Sequence, residues 1–193
     1  MSKNQSVLVV WWPKAAEQTR AEEEGRVPRV RFGVYSPNGT RLNQGTEPAN
    51  TLPKDLPCLL LLDPSEVALF AVTPPKLSGA KLKEALPFLV EPFLLNEPEE
   101  NHVSLWPLLP GQTNQQLASV VSKARVRAVV AGARQAGLKI SSLSCETLRK
   151  PTGGDLVLWL SANYLLLADG QDPPLVLPAD QTSLAQAMLA RRL

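Results

Sequence analysis

The segment from Leu59 to Leu95 constrains this chain more than any other. An apolar run, a tight turn, a second apolar run and an amphipathic helix follow one another with almost no linker. Cys58 to Leu62 reads as a buried strand, and Asp63-Pro64-Ser65 as a turn set by the fixed φ of proline and the aspartate acceptor. Val67 to Val72 then reads as a strand returning antiparallel. Thr73-Pro74-Pro75 separates this hairpin from the helix. Leu82, Ala85, Leu86, Leu89, Val90, Phe93 and Leu94 recur at helical spacing, so one face is expected to be buried, with Ser78 near the helix start. Pro87 and Pro92 each remove an N–H donor, which leaves either one bent helix or two shorter ones.

The same alternation organises the rest. Val7 to Trp12 and Arg29 to Tyr35 read as strands, with a charged, short helical stretch from Lys14 to Arg26 between them. Pro37-Asn38-Gly39 is a hairpin turn, because Asn and Gly tolerate positive φ, and Thr40 to Gln44 is the short return strand. Gly45 to Pro57, rich in Pro, Thr and Asn, reads as a surface loop. His102 to Trp106 and Gln116 to Val121 are paired strands. Lys123 to Gly137 is a helix with Val126, Val129, Val130, Ala133 and Ala136 on one face and Gly137 at its C-terminal end. Leu138 to Leu143 is extended. Lys150 to Gly154 is the best boundary in the chain, followed by strands at Leu156–Leu160, Tyr164–Ala168 and Leu175–Leu177 and a closing helix from Ser183 to Arg192. Strands then helices recur on each side of Gly153. The expected organisation is two α/β lobes, the first over 1–150 and the second, cut short, over 151–193.

Composition narrows the chemistry. In 193 residues, 20 basic and 18 acidic side chains leave a net charge of +2, too balanced for a nucleic-acid partner. Two cysteines, Cys58 and Cys145, far apart and outside any Cys-x-x-Cys pattern, cannot build a zinc site with the one histidine. Val7 to Trp12 is too short for a signal-peptide core. The longest uncharged apolar-rich run, Leu156 to Ala168, falls short of the ~20 residues of a spanning helix. The chain is therefore expected to be a soluble cytoplasmic piece.

These motifs resemble the cytoplasmic domain of type II secretion system protein L. The family shows a strand–turn–strand like Leu59–Leu62, Asp63–Ser65 and Val67–Val72 here. It then has a Leu-x-Gly-x-x-Leu segment like Leu77–Leu82, an Ala-Leu-Pro like Ala85–Pro87, and an acidic residue before paired leucines like Glu91 before Leu94-Leu95. A later strand, helix and Ala-Gly-Leu run resembles Ala118–Val121, Lys123–Arg134 and Ala136–Leu138, so the likeness covers roughly residues 58–170. The resemblance implies a degenerate actin-like ATPase (ribonuclease H-like) fold of two lobes, mixed sheets flanked by helices. It also implies a cytoplasmic part of an inner-membrane platform protein that binds the N-terminal domain of the secretion ATPase. Other platform proteins and a homodimer are further expected partners. The membrane helix and periplasmic domain that normally follow in the family are expected outside this chain.

Actin-like ATPases hold phosphates in glycine-rich strand turns, where backbone N–H groups must come close and a Cβ would obstruct. The candidate turns here lack that chemistry. Leu62 to Val67 has Asp63 but no glycine, and Pro64 removes a donor; Leu160 to Tyr164 has neither acid nor glycine; Trp11 to Lys14 has neither. Thr152-Gly153-Gly154-Asp155 precedes a strand instead of a helix and reads as a hinge. No catalytic residue, cofactor or metal ligand is expected. His102 reads as a strand-start residue, Asp63 as a turn cap and Glu66 as an exposed side chain. Of the adjacent Trp11 and Trp12, one faces each side of a sheet. Lys123, Arg127 and Arg134 share a helical face and are the candidate partner-binding residues. The expected function is a non-catalytic scaffold of the secretion platform. The alternatives are an ATP-binding type IV pilus assembly protein of the same fold and a small two-lobed α/β enzyme.

Overall fold

Strand alternation builds the first sheet. Its members are β1 (Val7–Trp11), β2 (Arg29–Tyr35), β3 (Arg41–Pro48), β4 (Pro57–Leu62) and β8 (Lys139–Cys145), in the order β3-β2-β1-β4-β8. The computed structural model describes residues 5–107, 115–148, 157–160, 164–168 and 175–178. β1 runs antiparallel to β2 and parallel to β4, with Leu8 opposite Val34 and Cys58, and Val10 opposite Phe32 and Leu60. β8 adds in parallel beside β4. Even-numbered residues of β1 and β4 are buried to the last: Leu8, Val10, Cys58, Leu60 and Leu62, with Trp12 just beyond β1. Two helices belong with this sheet, α1 (Ala15–Glu23) and α3 (Lys123–Gln135). A Cβ placed on Gly132 of α3 would lie 2.8 Å from the Trp12 ring, so the Trp12 side of the sheet is the one α3 covers. α3 ends as the spacing predicts, with Gly137 at φ +80 and its N–H donating to the Arg134 carbonyl.

The chain divides into two compact units. The first is Met1–Glu66 with Ala124–Glu146, and the second is Val67–Lys123 with Thr147–Leu193. The chain thus leaves the first unit after Glu66, returns at Ala124, and leaves again after Glu146. The units are discontinuous in sequence, where the sequence reading draws a single break at 150/151. The expected boundary from Lys150 to Gly154 lies outside the described residues.

This division corrects the expected hairpin. β4 and β5 (Ala68–Val72) do not pair: β4 sits between β1 and β8, whereas β5 pairs antiparallel with β7 (Gln116–Ser122). Asp63-Pro64-Ser65 is therefore a crossing between sheets. A second correction concerns 45–57. β3 continues to Pro48, a 3-10 turn follows at Ala49–Thr51, and Ala49 and Leu52 are buried. β3 carries no buried residue, so its sequence has no apolar alternation by which to extend it.

In the second unit β6 (Asn101–Pro107) pairs with β7 as expected, His102 opposite Val121 and Leu105 opposite Ala118, in a sheet ordered β5-β7-β6. α2 (Gly79–Val90) packs on it through Leu86 and Val90, and Val72, Val90, Ala118 and Val120 form the core. α2 runs unbroken through Pro87, and the change to a 3-10 turn comes at Glu91–Phe93, where Pro92 has no N–H to continue the helix. Phe93, expected on the buried stripe, is 54% exposed, with its ring stacked on Phe70 at 4.9 Å. A further antiparallel sheet is built from β9 (Val157–Leu160), β10 (Tyr164–Ala168) and β11 (Leu175–Pro178), in the order β11-β10-β9. The expected turns at Ser161-Ala162 and Asp169-Gly170 and the helix from Ser183 to Arg192 lie outside the described residues.

Candidate functional site

In an open α/β sheet, ligands bind beyond the C-terminal ends of parallel strands, where neighbouring strands lead the chain to opposite sides. In the first sheet that point lies between β1 and β4, since β1 leads towards β2 and β4 stands beside β8. The residues there are Trp12-Pro13-Lys14 after β1 and Asp63-Pro64-Ser65-Glu66 after β4. They hold one another. Lys14 Nζ lies 3.7 Å from Asp63 Oδ1, and Asp63 caps its own turn by accepting from the Ser65 N–H at 2.9 Å and the Ser65 hydroxyl at 2.6 Å. The Ala15 N–H, first of α1, donates to Glu66 Oε1 at 2.7 Å.

Behind that carboxylate is a buried cation. Arg125 donates from Nε and Nη2 to Glu66 Oε2 at 3.0 and 2.9 Å, from Nη1 to Gln18 Oε1 at 2.7 Å, and from Nη2 to the Pro13 carbonyl. Gln18 accepts from Trp12 Nε1 at 2.9 Å and donates to Glu22 Oε1 at 2.8 Å. The side chains of Arg125 and Glu66 are 8% and 15% exposed. Glu66, expected to be exposed, is therefore a correction: its charge is held by Arg125 and by the first N–H of α1. Sequence reasoning missed Arg125 and Gln18 altogether, because a helical Arg or Gln is ordinarily exposed. Their spacing gave one signal, since Arg125 sits four residues before Val129 on the buried face of α3.

An anion at a helix N-terminus is stabilised by the free N–H groups and the helix dipole. Here the chain's own Glu66 takes that place. No glycine lies among residues 12–14 or 63–66, and Pro13 and Pro64 offer no N–H. Among the described residues no group of three or more His, Cys, Asp or Glu could hold a metal ion. His102 is exposed, with Nε2 3.2 Å from Ser104 Oγ. Burial pushes the Cys58 thiol up to about 12, so it is an inert thiol at neutral pH.

The opposite face of the sheet carries Trp11. The Arg31 guanidinium stacks over its ring at 4.2 Å, and its indole N–H donates to Glu146. Trp11 and Trp12 thus point to opposite faces, Trp12 being 2% exposed. Of the candidate partner-binding residues, Arg127 and Arg134 are exposed on α3. Lys123, at the start of α3, donates from Nζ to the Glu99 carbonyl at 2.6 Å.

No family model and no curated protein sequence matches the chain. Solved structures do. The cytoplasmic domain of EpsL, an inner membrane component of the type II secretion system of Vibrio cholerae, is similar with a TM-score of 0.72 at 16% identity, over 93% of this chain and 74% of that one. The PilM–PilN type IV pilus biogenesis complex is similar with a TM-score of 0.63 at 17% identity, over 93% of this chain and 64% of that one. At these identities the likeness carries the fold. It gives the chain the actin-like ATPase fold that the family resemblance implies.

Proposed function

We propose that this chain is a non-hydrolysing scaffold domain, the cytoplasmic part of an inner-membrane secretion platform, which recruits the secretion ATPase through protein contacts. One observation carries the proposal: Glu66 fills the anion position at the start of α1 and is locked there by Arg125. A phosphate entering at this end of β1 and β4 would have to displace a paired carboxylate and approach Asp63, another negative charge. The likeness in fold to the EpsL domain supports the platform assignment. The exposed Arg127 and Arg134 of α3, with the half-buried Lys123 on the same helical face, offer the surface for an acidic stretch of the ATPase N-terminal domain. The test is a calorimetric titration with that domain. Saturable micromolar binding is expected, and no heat at high micromolar concentration would contradict the recruitment role.

A second reading, an ATP-binding assembly protein of the pilus type, draws on the likeness to the PilM–PilN complex. It requires that Mg–ATP bind, which the Glu66 arrangement opposes.

A further inference from the structure

From Glu84 to Ser122 the chain contains no Lys or Arg, and it carries five glutamates: Glu84, Glu91, Glu97, Glu99 and Glu100. Within this acidic segment the loop 91–100 presents large apolar side chains to solvent. Leu95 is 107% exposed and Phe93 is 54% exposed.

The loop is nonetheless pinned from below. Asn101, 5% exposed, donates from Nδ2 to Asn96 Oδ1 and to the Glu97 carbonyl, each at 3.1 Å, and Asn96 donates to Glu100 Oε2 at 3.2 Å. The Leu94 N–H donates to the Glu91 carbonyl and the Glu100 N–H to the Glu97 carbonyl, both at 3.0 Å, while Leu94 packs on the core cluster. Phe93 is fixed by its stack on Phe70. The order of this loop leaves Leu95 outside the core, where it loses the ~2 kcal/mol that burial of such a side chain brings. An apolar surface edged by like charges recognises its opposite: an amphipathic helix with apolar anchors and basic flanks.

We infer that the 91–100 loop is a docking surface for a basic amphipathic helix of a partner protein, with Leu95 and Phe93 as anchors and Glu91, Glu97, Glu99 and Glu100 as the charged rim. The inference stands independently of ATPase recruitment.

The probe is a synthetic amphipathic peptide of leucine and lysine, about 18 residues long and so roughly five helical turns, added to the isotopically labelled protein. Amide shifts confined to residues 88–101, weakened by salt, are expected. Leu95→Ser and the pair Glu97→Lys and Glu99→Lys should each weaken binding about tenfold, the size of a contact hot spot. These side chains are exposed, so the spectra of the variants away from the loop serve as the check on folding. A leucine–glutamate peptide of the same pattern should leave the spectrum unchanged. Shifts centred elsewhere, equal binding of the two peptides, or undiminished binding by the variants would each overturn the inference. So would a dimer in sedimentation that Leu95→Ser dissolves, since the occupant would then be a second copy of this chain.

Discussion

Glu66 and Arg125 close on each other at the two points where the chain passes between its units. Glu66 is the last residue before the first departure, and Arg125 is the second after the return. The two bonds, 3.0 and 2.9 Å, run from a side chain 8% exposed to one 15% exposed. The pair therefore ties α3 to the segment that follows β4 within the first unit.

Removing one partner strands the other. Arg125→Ala leaves the Glu66 carboxylate without its cation and takes one of two donors from Gln18 Oε1, and it should destabilise the protein by about 3 kcal/mol. The double variant Glu66→Leu with Arg125→Met removes both charges and should recover most of that loss. Urea unfolding midpoints of the single and double variants measure the difference.

Gly132→Ala should destabilise despite the better helix propensity of alanine, worth about 1 kcal/mol. The new Cβ would lie 2.8 Å from the Trp12 ring, and that ring is buried and tied to Gln18. Overpacking of this kind costs ~1–3 kcal/mol, so the two terms oppose and the clash wins. A lower melting temperature with a changed near-ultraviolet tryptophan signal is the expected result.

Cys58 keeps its proton far longer folded than unfolded, because burial raises it from 9.0 to about 12. Above pH 9 the unfolded chain loses that proton while the folded chain retains it. The contribution to stability is therefore complete below pH 9 and declines as pH rises from 9 to about 12. Replacing the thiol by Cys58→Ala should flatten that part of the stability–pH curve. In the native protein at pH 8 neither Cys58 nor Cys145, both buried, should react with a thiol reagent until denaturant is added.

Charge reversal on α3 separates recruitment from folding. Arg127→Glu with Arg134→Glu changes exposed side chains, so the melting temperature should move little. Affinity for the ATPase N-terminal domain should fall about tenfold, and what binding remains should depend less on salt. Unchanged affinity would place the contact on another surface.

Much of this fold is legible in the sequence, and the failures have physical reasons. β1, β2, β4 and the β6–β7 pair follow from apolar alternation, and α3 from its Val–Ala stripe and terminal glycine, because those residues face one core. β3 was cut short because a strand exposed on both sides leaves no pattern. The separation of β4 from β5 was hidden because Asp63-Pro64-Ser65 makes a local turn either way, and only the partners of each strand, far off in sequence, decide which sheet it enters. The missing glycines at the strand ends were visible. The filling of that place by Glu66 was not, since it depends on a pair 59 residues apart in the chain.

The most direct measurement is calorimetric titration of the intact protein with Mg–ATP. With Glu66 held by Arg125 and the Ala15 N–H, the titration should show no saturable heat up to millimolar nucleotide. Saturable binding at micromolar concentration would show that a phosphate displaces the carboxylate, and would contradict the account of this domain as a scaffold closed to nucleotide.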